Sequence, residues 1–309
     1  MLLIPGTGIL DDFGCRPGEL PLQLFRWCLV ARLCGVPVHF VSVGAGPIVN
    51  PRSRWLMATA ARLATSRSFR DEDSRDFMAG LGLDTRGDLI CPDLVFSLPA
   101  GSREIRSIHR DRSRLGLGVM DYRGWQDRSL PDTDRYERYL VRLSDLALKA
   151  LRDGWCIVLV PGQTSDTSAL NDLVRRLRDQ TSAHEFARVE VPEAGNFAQL
   201  LVALRDVDAL VASRYHNLVA GIMLGTPVIS IGYAPKNDAL LASAGLEQFA
   251  HKIDDFSADE VLAHLKTVAS RRAAPCIALE ALATDYAGQL DRVFVRLVQE
   301  TAPSQSGPR

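Results

Sequence analysis

The chain has 309 residues, 47% of them apolar and 24% charged, enough to bury two cores without disulfide staples. Lys and Arg number 36 and Asp and Glu 37, a formal net charge of -1, so no chain-wide basic field points to nucleic acid or anionic lipid, and any anion site has to be local. Six cysteines (Cys15, Cys28, Cys34, Cys91, Cys156, Cys276) form no CxxC pair and read as reduced, cytosolic thiols in apolar settings. No run approaches the ~20 apolar residues of a membrane span. The opening MLLIPGTGILDDF lacks the basic stretch and cleavage site of a secretion signal.

Residues 2–6 (LLIPG) predict a strand stopped by Pro-Gly. A helix follows over 20–35, with Leu22, Phe25, Leu29 and Leu33 at inward spacing. Next come a β-rich run at 36–44, a helix at 51–61, a short strand at 62–68, a helix from Asp71 to about Leu81, and a strand at 88–96. The rhythm restarts with a strand at 114–122 and a helix at 134–153 that turns Tyr139, Leu143, Leu146 and Leu151 inward. WCIVLVPG (155–162) is almost continuously apolar, as a strand buried on both faces should be. Helices at 167–181 and 196–206 alternate with strands at 187–191 and 207–213. A helix at 214–225 ends on Gly225 two residues before a proline, followed by a strand at 226–233 and helices at 257–271 and 276–299.

This alternation predicts an α/β fold of two Rossmann-like lobes with parallel sheets. The amino-terminal lobe takes residues 1–102, a charged, turn-rich linker 103–114, the carboxyl-terminal lobe 115–300, and a polar, disordered tail 301–309. The final helix is free to pack back on the first lobe. Met1 leads straight into LLIPGTG, so the first lobe reads as short by one βα unit.

In open parallel sheets, ligands bind outside the carboxyl ends of the strands, so chemistry is sought in the turns there. Ser213-Arg214-Tyr215-His216-Asn217 follows a buried strand and opens a helix. Helix-start N–H groups favour an anion, Arg214 offers a fork for carboxylate or phosphate, and His216 can donate a proton near neutral pH. A structural account is also open: Ser213 as helix cap, Arg214 as surface cation, His216 as packed side chain. Lys236, one of only four lysines, follows the next strand, where a right-handed crossover sets it beside that turn. Gly162 and Gln163 follow the 155–162 strand, with Asp166 or Ser165 read as a helix cap. Arg123 follows the 114–122 strand beside Trp125. In the first lobe, Gly6-Thr7-Gly8 follows the first strand without completing a dinucleotide fingerprint. P-loop, HExxH, GxSxG and clustered metal ligands are absent from the sequence.

The stretch ALVASRYHNLVAGIMLGTPVISIGYAPKN resembles the signature of the polysaccharide pyruvyl transferases: a strand, S-R-x-H, a helix, G-x-P-V and a strand ending Y-x-x-K. Here these are Ser213, Arg214, His216, Gly225, Pro227, Val228, Tyr233 and Lys236. LLIPGTGILDD is similar to that family's glycine-rich first-lobe strand, and Arg70, Asp71 and Ser74 to its R-D-x-x-S segment. The resemblance implies two lobes in the B-type glycosyltransferase architecture. It implies transfer of a pyruvate ketal from phosphoenolpyruvate, as donor substrate and with no cofactor or metal, to a saccharide or lipid-linked saccharide. It implies that Arg214 and the adjacent backbone bind the donor phosphate, that His216 is the general acid and that Lys236 is a second anion contact. Ser213, Tyr215, Asn217, Arg123, Gly162, Gln163, Gly6 and Gly8 are the expected substrate contacts. The chain departs from the family pattern at Met120, where an arginine is expected, and at Gln163, where some relatives carry histidine.

The implied place of work is the cytoplasm, at the inner face of the membrane for a lipid-linked acceptor, yet no amphipathic surface for that contact stands out in the sequence. The sequence does not indicate an oligomeric state. A nucleotide-sugar glycosyltransferase, although Glu190 and Glu193 do not stand in the setting its acidic pair needs, and a non-catalytic relative that only binds a partner are the alternatives.

Overall fold

The computed structural model describes residues 1–6, 8–99, 112–123, 133–270 and 273–301. It divides into two compact units, Met1–Leu98 with Asp285–Arg309, and Pro99–Thr284.

The first unit runs β1 (Leu2–Pro5), α1 (Leu20–Leu33), β2 (Val38–Val43), α2 (Pro51–Arg62), β3 (Ser66–Phe69), α3 (Glu72–Gly80) and β4 (Leu89–Ile90). The sheet is parallel, in the order β1-β2-β3-β4. Crossovers that always step the same way leave their helices on one face. Leu24, Met57 and Met78, one from each helix, accordingly share a core with Phe40 and Phe69. Two helices start where side chains supply the missing acceptors. Asn50 accepts from the Arg52 N–H, with Pro51 as first helical residue, and Asp71 accepts from the Ser74 N–H.

Several elements differ from the sequence-based expectation. The strand expected at 62–68 begins at Ser66, because α2 continues through Arg62. The strand expected at 88–96 shrinks to two residues, because Asp93 caps a 3₁₀ turn at Leu94–Ser97. Helix α1 buries Pro21, Leu24, Cys28 and Ala31 rather than the Leu22/Phe25/Leu29/Leu33 stripe, and Leu33 is exposed. Apolar side chains lie on several faces of the helix, Trp27, Val30 and Leu33 outward as well as Leu24 and Cys28 inward, so periodicity does not fix which face turns inward. Burial pushes the Cys28 thiol up to about 11, which leaves it an inert packing group.

The second unit holds β5 (Arg114–Val119), α4 (Thr133–Arg152), β6 (Cys156–Pro161), α5 (Thr167–Gln180), α6 (Ala183–Phe186), β7 (Val189–Glu190), α7 (Phe197–Leu204), β8 (Ala209–Ala212), α8 (Tyr215–Met223), β9 (Val228–Gly232), α9 (Pro235–Ser243), β10 (Ala250–Lys252) and α10 (Ala258–Ser270). Its parallel sheet has the doubly wound order β10-β9-β8-β5-β6-β7. Tyr139, Leu143, Leu146 and Leu151 of α4 are buried, as their spacing predicts. The strand expected at 187–191 shortens to Val189–Glu190, since a Ser182/Glu185 capping box starts α6 just before it. Helix α9 and strand β10 were not anticipated.

Helix α11 (Ala273–Thr301) spans the boundary. The sequence-based partition assigned it to the second lobe with freedom to pack back on the first; its residues from Asp285 onward group with the first unit. There Tyr286 meets Phe96 edge-on at 4.9 Å. Val293, Arg296 and Leu297 share a cavity of about 990 Å³ with His39, Val41, Ser66 and Ser68, on the sheet side opposite Phe40. Most of the expected linker and tail lies outside the described residues.

Candidate active site

The order of the second sheet reverses between β5 and β8, and the crevice outside their carboxyl ends is where such sheets bind ligands. Asp166 lies at the centre of the turns there. It is fully buried and does not cap α5. Its carboxylate accepts from the backbone N–H of Asp121 at 2.9 Å, of Gly162 at 3.2 Å and of Gln163 at 3.1 Å. The Arg214 guanidinium forks onto the same carboxylate, Nε at 2.9 Å and Nη2 at 2.6 Å. One acid thus ties together the turns after β5, β6 and β8. Burial alone would lower the Arg214 pKa, but Asp166, with a further contribution from Tyr233 after β9, holds it above the ordinary arginine value. Arg214 is therefore a nearly buried, clamped cation and not a surface one.

Gly162 makes this clamp sterically feasible. A Cβ built there would lie 2.1 Å from the Arg214 Cγ, so only glycine lets the arginine cross the turn. The sequence-based expectation makes Gly162 a substrate contact; in the structure the side where its Cβ would stand is filled by Arg214.

Helix α8 begins without a side-chain cap, its N-cap being Arg214. Ser213 is fully buried and does not cap it: its Oγ pairs with the Tyr139 hydroxyl at 3.4 Å, and its carbonyl accepts from the Asn237 amide at 2.7 Å. Burial pushes the Tyr139 phenol up to about 12, keeping it a neutral hydroxyl at ordinary pH. His216, in the first turn of α8, is exposed rather than packed, with Tyr215 and Phe197 edge-on to its ring at 5.6 and 6.4 Å. Helix α9 likewise starts without a side-chain cap, on Pro235, and places Lys236 in its first turn with the ammonium 5.3 Å from the Tyr233 ring centre.

The remaining candidates divide by place. Tyr215 is buried. Asn217 is fully buried against Gly118, and neither of its amide atoms has a hydrogen-bond partner among the described residues. Gln163 is exposed and donates to Ser165. Arg123 pairs with Asp121 at 2.8 Å and lies over the Tyr136 ring, 4.5 Å from its centre. Trp125 lies outside the described residues. Gly6 and Gly8 belong to the first unit. A Cβ on Gly6 would meet the Ser42 carbonyl oxygen at 2.3 Å, and one on Gly8 an Asp11 oxygen at 2.6 Å. Ser42, a non-glycine at φ 55°, is held there by hydrogen bonds to the Cys91 and Pro92 carbonyls. Asp166 and Tyr139 are the important residues the sequence reading undervalued. Among the described residues no group of three or more His, Cys, Asp or Glu could hold a metal ion.

The sequence model of the polysaccharide pyruvyl transferases matches residues 1–235, which include β8, α8, β9 and the start of α9. The chain belongs to that family. No curated protein matches this pyruvyl transferase family member in sequence. Its fold is similar to that of UDP-GlcNAc 2-epimerase from Neisseria meningitidis, at TM-score 0.56 and 13% identity over 90% of this chain and 73% of that one. It is similar also to the S. aureus MnaA–UDP structure (TM-score 0.58, 8% identity, 92% and 73% covered). A trehalose-phosphate synthase from Burkholderia vietnamiensis gives TM-score 0.56 at 13% identity, with 92% and 72% covered. The chain therefore has the B-type glycosyltransferase class of fold.

Proposed function

We propose that this chain transfers the carboxyvinyl unit of phosphoenolpyruvate to two hydroxyls of a saccharide, releasing phosphate and leaving a pyruvate ketal. The observation that carries the reading is the pair of uncapped helix starts, α8 and α9, after neighbouring strands, each presenting a basic group of the family motif, His216 and Lys236. A small trianion fits helix N-termini and a lysine without needing a metal. The clamp on Asp166 occupies two of the Arg214 nitrogens and offsets its charge. In this reading Arg214 holds the turn in shape, while the backbone of α8 and α9, Lys236 and His216 meet the donor.

The chemistry follows from these groups. His216 gives a proton to the methylene carbon of the donor, and positive charge develops on the adjacent carbon. A neighbouring phosphate favours the protonated imidazole that the step requires. One acceptor hydroxyl bonds to that carbon and loses its proton, phosphate leaves with its bridging oxygen, and the second hydroxyl closes the ketal. Each turnover thus forms one C–H and two C–O bonds and breaks the C–O bond to phosphate and two O–H bonds; of the two hydroxyl protons one returns to His216 and the other leaves on the phosphate as hydrogen phosphate.

Thermal unfolding with and without phosphoenolpyruvate tests donor binding, since ligand at 100 times its Kd adds about 2.7 kcal/mol to the native state. His216→Ala should keep most of that shift and lose ~10²–10⁴-fold of the turnover measured as phosphate release with acceptor. A wild-type chain stabilised by a nucleotide sugar and indifferent to phosphoenolpyruvate refutes the reading in favour of a glycosyltransferase. Among the described residues no helix is long and apolar enough to cross a membrane.

A further inference from the structure

Helices α1 and α2 pack side by side on the first unit, joined by the Phe25 and Trp55 rings at 5.6 Å. With Leu24, Cys28 and Ala31 turned to the core, α1 presents Trp27 (67% exposed), Val30 (53%) and Leu33 (78%) outward, and α2 presents Trp55 (60%). Residues 20–33 and 51–62 contain five arginines, Arg26, Arg32, Arg52, Arg54 and Arg62, and no Asp or Glu, in a chain whose net charge is -1. All five are exposed. Arg54 and Arg62 donate to backbone carbonyls, and none of the five is in an ion pair among the described residues. The chain-wide charge balance conceals this local field.

We infer that the outer face of α1 and α2 is a membrane-docking surface, with Trp27, Val30, Leu33 and Trp55 entering the interface of a bilayer and the arginines meeting anionic lipid headgroups. Tryptophan favours the headgroup level, where its ring is half solvated. Large exposed apolar side chains can enter such an interface while neighbouring arginines stay with the anionic headgroups. Exposed apolar area alone would fit a second copy of the chain equally well. An isologous dimer, however, would set the five arginines against the same five, a like-charge juxtaposition that opposes pairing. An anionic surface satisfies both features at once. The inference does not depend on the donor chemistry, because its readout is partitioning and not turnover.

Cosedimentation of the full chain with phosphatidylcholine vesicles, with and without one third phosphatidylglycerol, tests it. The wild type should sediment with the anionic vesicles only, and less as salt rises. Trp27→Ser/Leu33→Ser should abolish sedimentation with an unchanged Tm. Each of Arg26→Gln and Arg52→Gln should weaken it about fivefold, the ~1 kcal/mol a cation gains near such a surface. A wild type that stays in the supernatant with anionic vesicles overturns the inference. So does a Trp27→Ser/Leu33→Ser chain that sediments like the wild type. A dimer in analytical ultracentrifugation that the same double variant dissociates also overturns it, assigning the face to self-association.

Discussion

Replacing Asp166 with asparagine perturbs the site at its centre. The carboxylate accepts from three backbone N–H groups and from two nitrogens of Arg214, and both side chains are largely shut off from water, at 0% and 13% exposure. Asparagine keeps one carbonyl oxygen and turns its NH₂ toward groups that are all donors. The larger loss is that Arg214 becomes an uncompensated cation, which for a buried pair costs about 3–5 kcal/mol. At roughly 2–4 °C per kcal/mol for a unit of this size, the Tm should fall by roughly 6–20 °C. Removing the stranded charge as well, in Asp166→Asn/Arg214→Met, should recover part of that loss, so the cycle should show strong coupling. The assay is urea unfolding of the four chains, followed by circular dichroism. A loss below about 1 kcal/mol for Asp166→Asn, or additive single losses, would refute the clamp.

Gly162→Ala must push Arg214 aside, because the new methyl lies 2.1 Å from its Cγ and 2.6 Å from its Cβ; a loss of about 1–3 kcal/mol is expected, while Gly87→Ala, with open space around it, should be neutral in the same denaturation series. The His251 and His264 rings approach at 3.1 Å, and burial first, then the charge of His264, lowers the His251 pKa, with Glu260 opposing. The unfolded chain therefore takes up the His251 proton first as pH falls. The stability that this group contributes is full above ~6.5 and is lost as pH drops through the folded value. His251→Gln should flatten that decline in unfolding free energy measured between neutral and mildly acidic pH, and an unchanged slope would remove His251 as its source.

How much was legible depended on whether the information was local. Strand β6 and helix α4 stood out because a strand buried on both faces is continuously apolar and a long amphipathic helix repeats its pattern over many turns. Strands β4 and β7 are two residues long and end their sheets, so their extent is set by the neighbouring strand and by the adjoining turns rather than by their own side chains. The Arg214–His216 turn was found because it directly follows a buried strand. From local sequence Asp166 reads only as a helix cap, since the partners that define it, Asp121 and Arg214, stand 45 and 48 positions away and are brought to it by the sheet. Helix α9 is hard to see in the sequence because Pro235-Lys236 reads as a turn, with Leu240 and Leu241 the only large buried side chains behind it.

The one-way order of β1 to β4 bears on how the protein is made. All three connecting helices share one face of that sheet, and the other face is served by residues of α11 from Asp285 onward. At ~5–20 residues per second, roughly 10–40 s separate synthesis of Leu98 from that of Asp285. During that interval the second unit, a continuous segment, can complete its own core, while the nascent first unit still lacks the helix that lies over His39 and Val41. The unit whose strands are synthesised before the second is thus completed only after it.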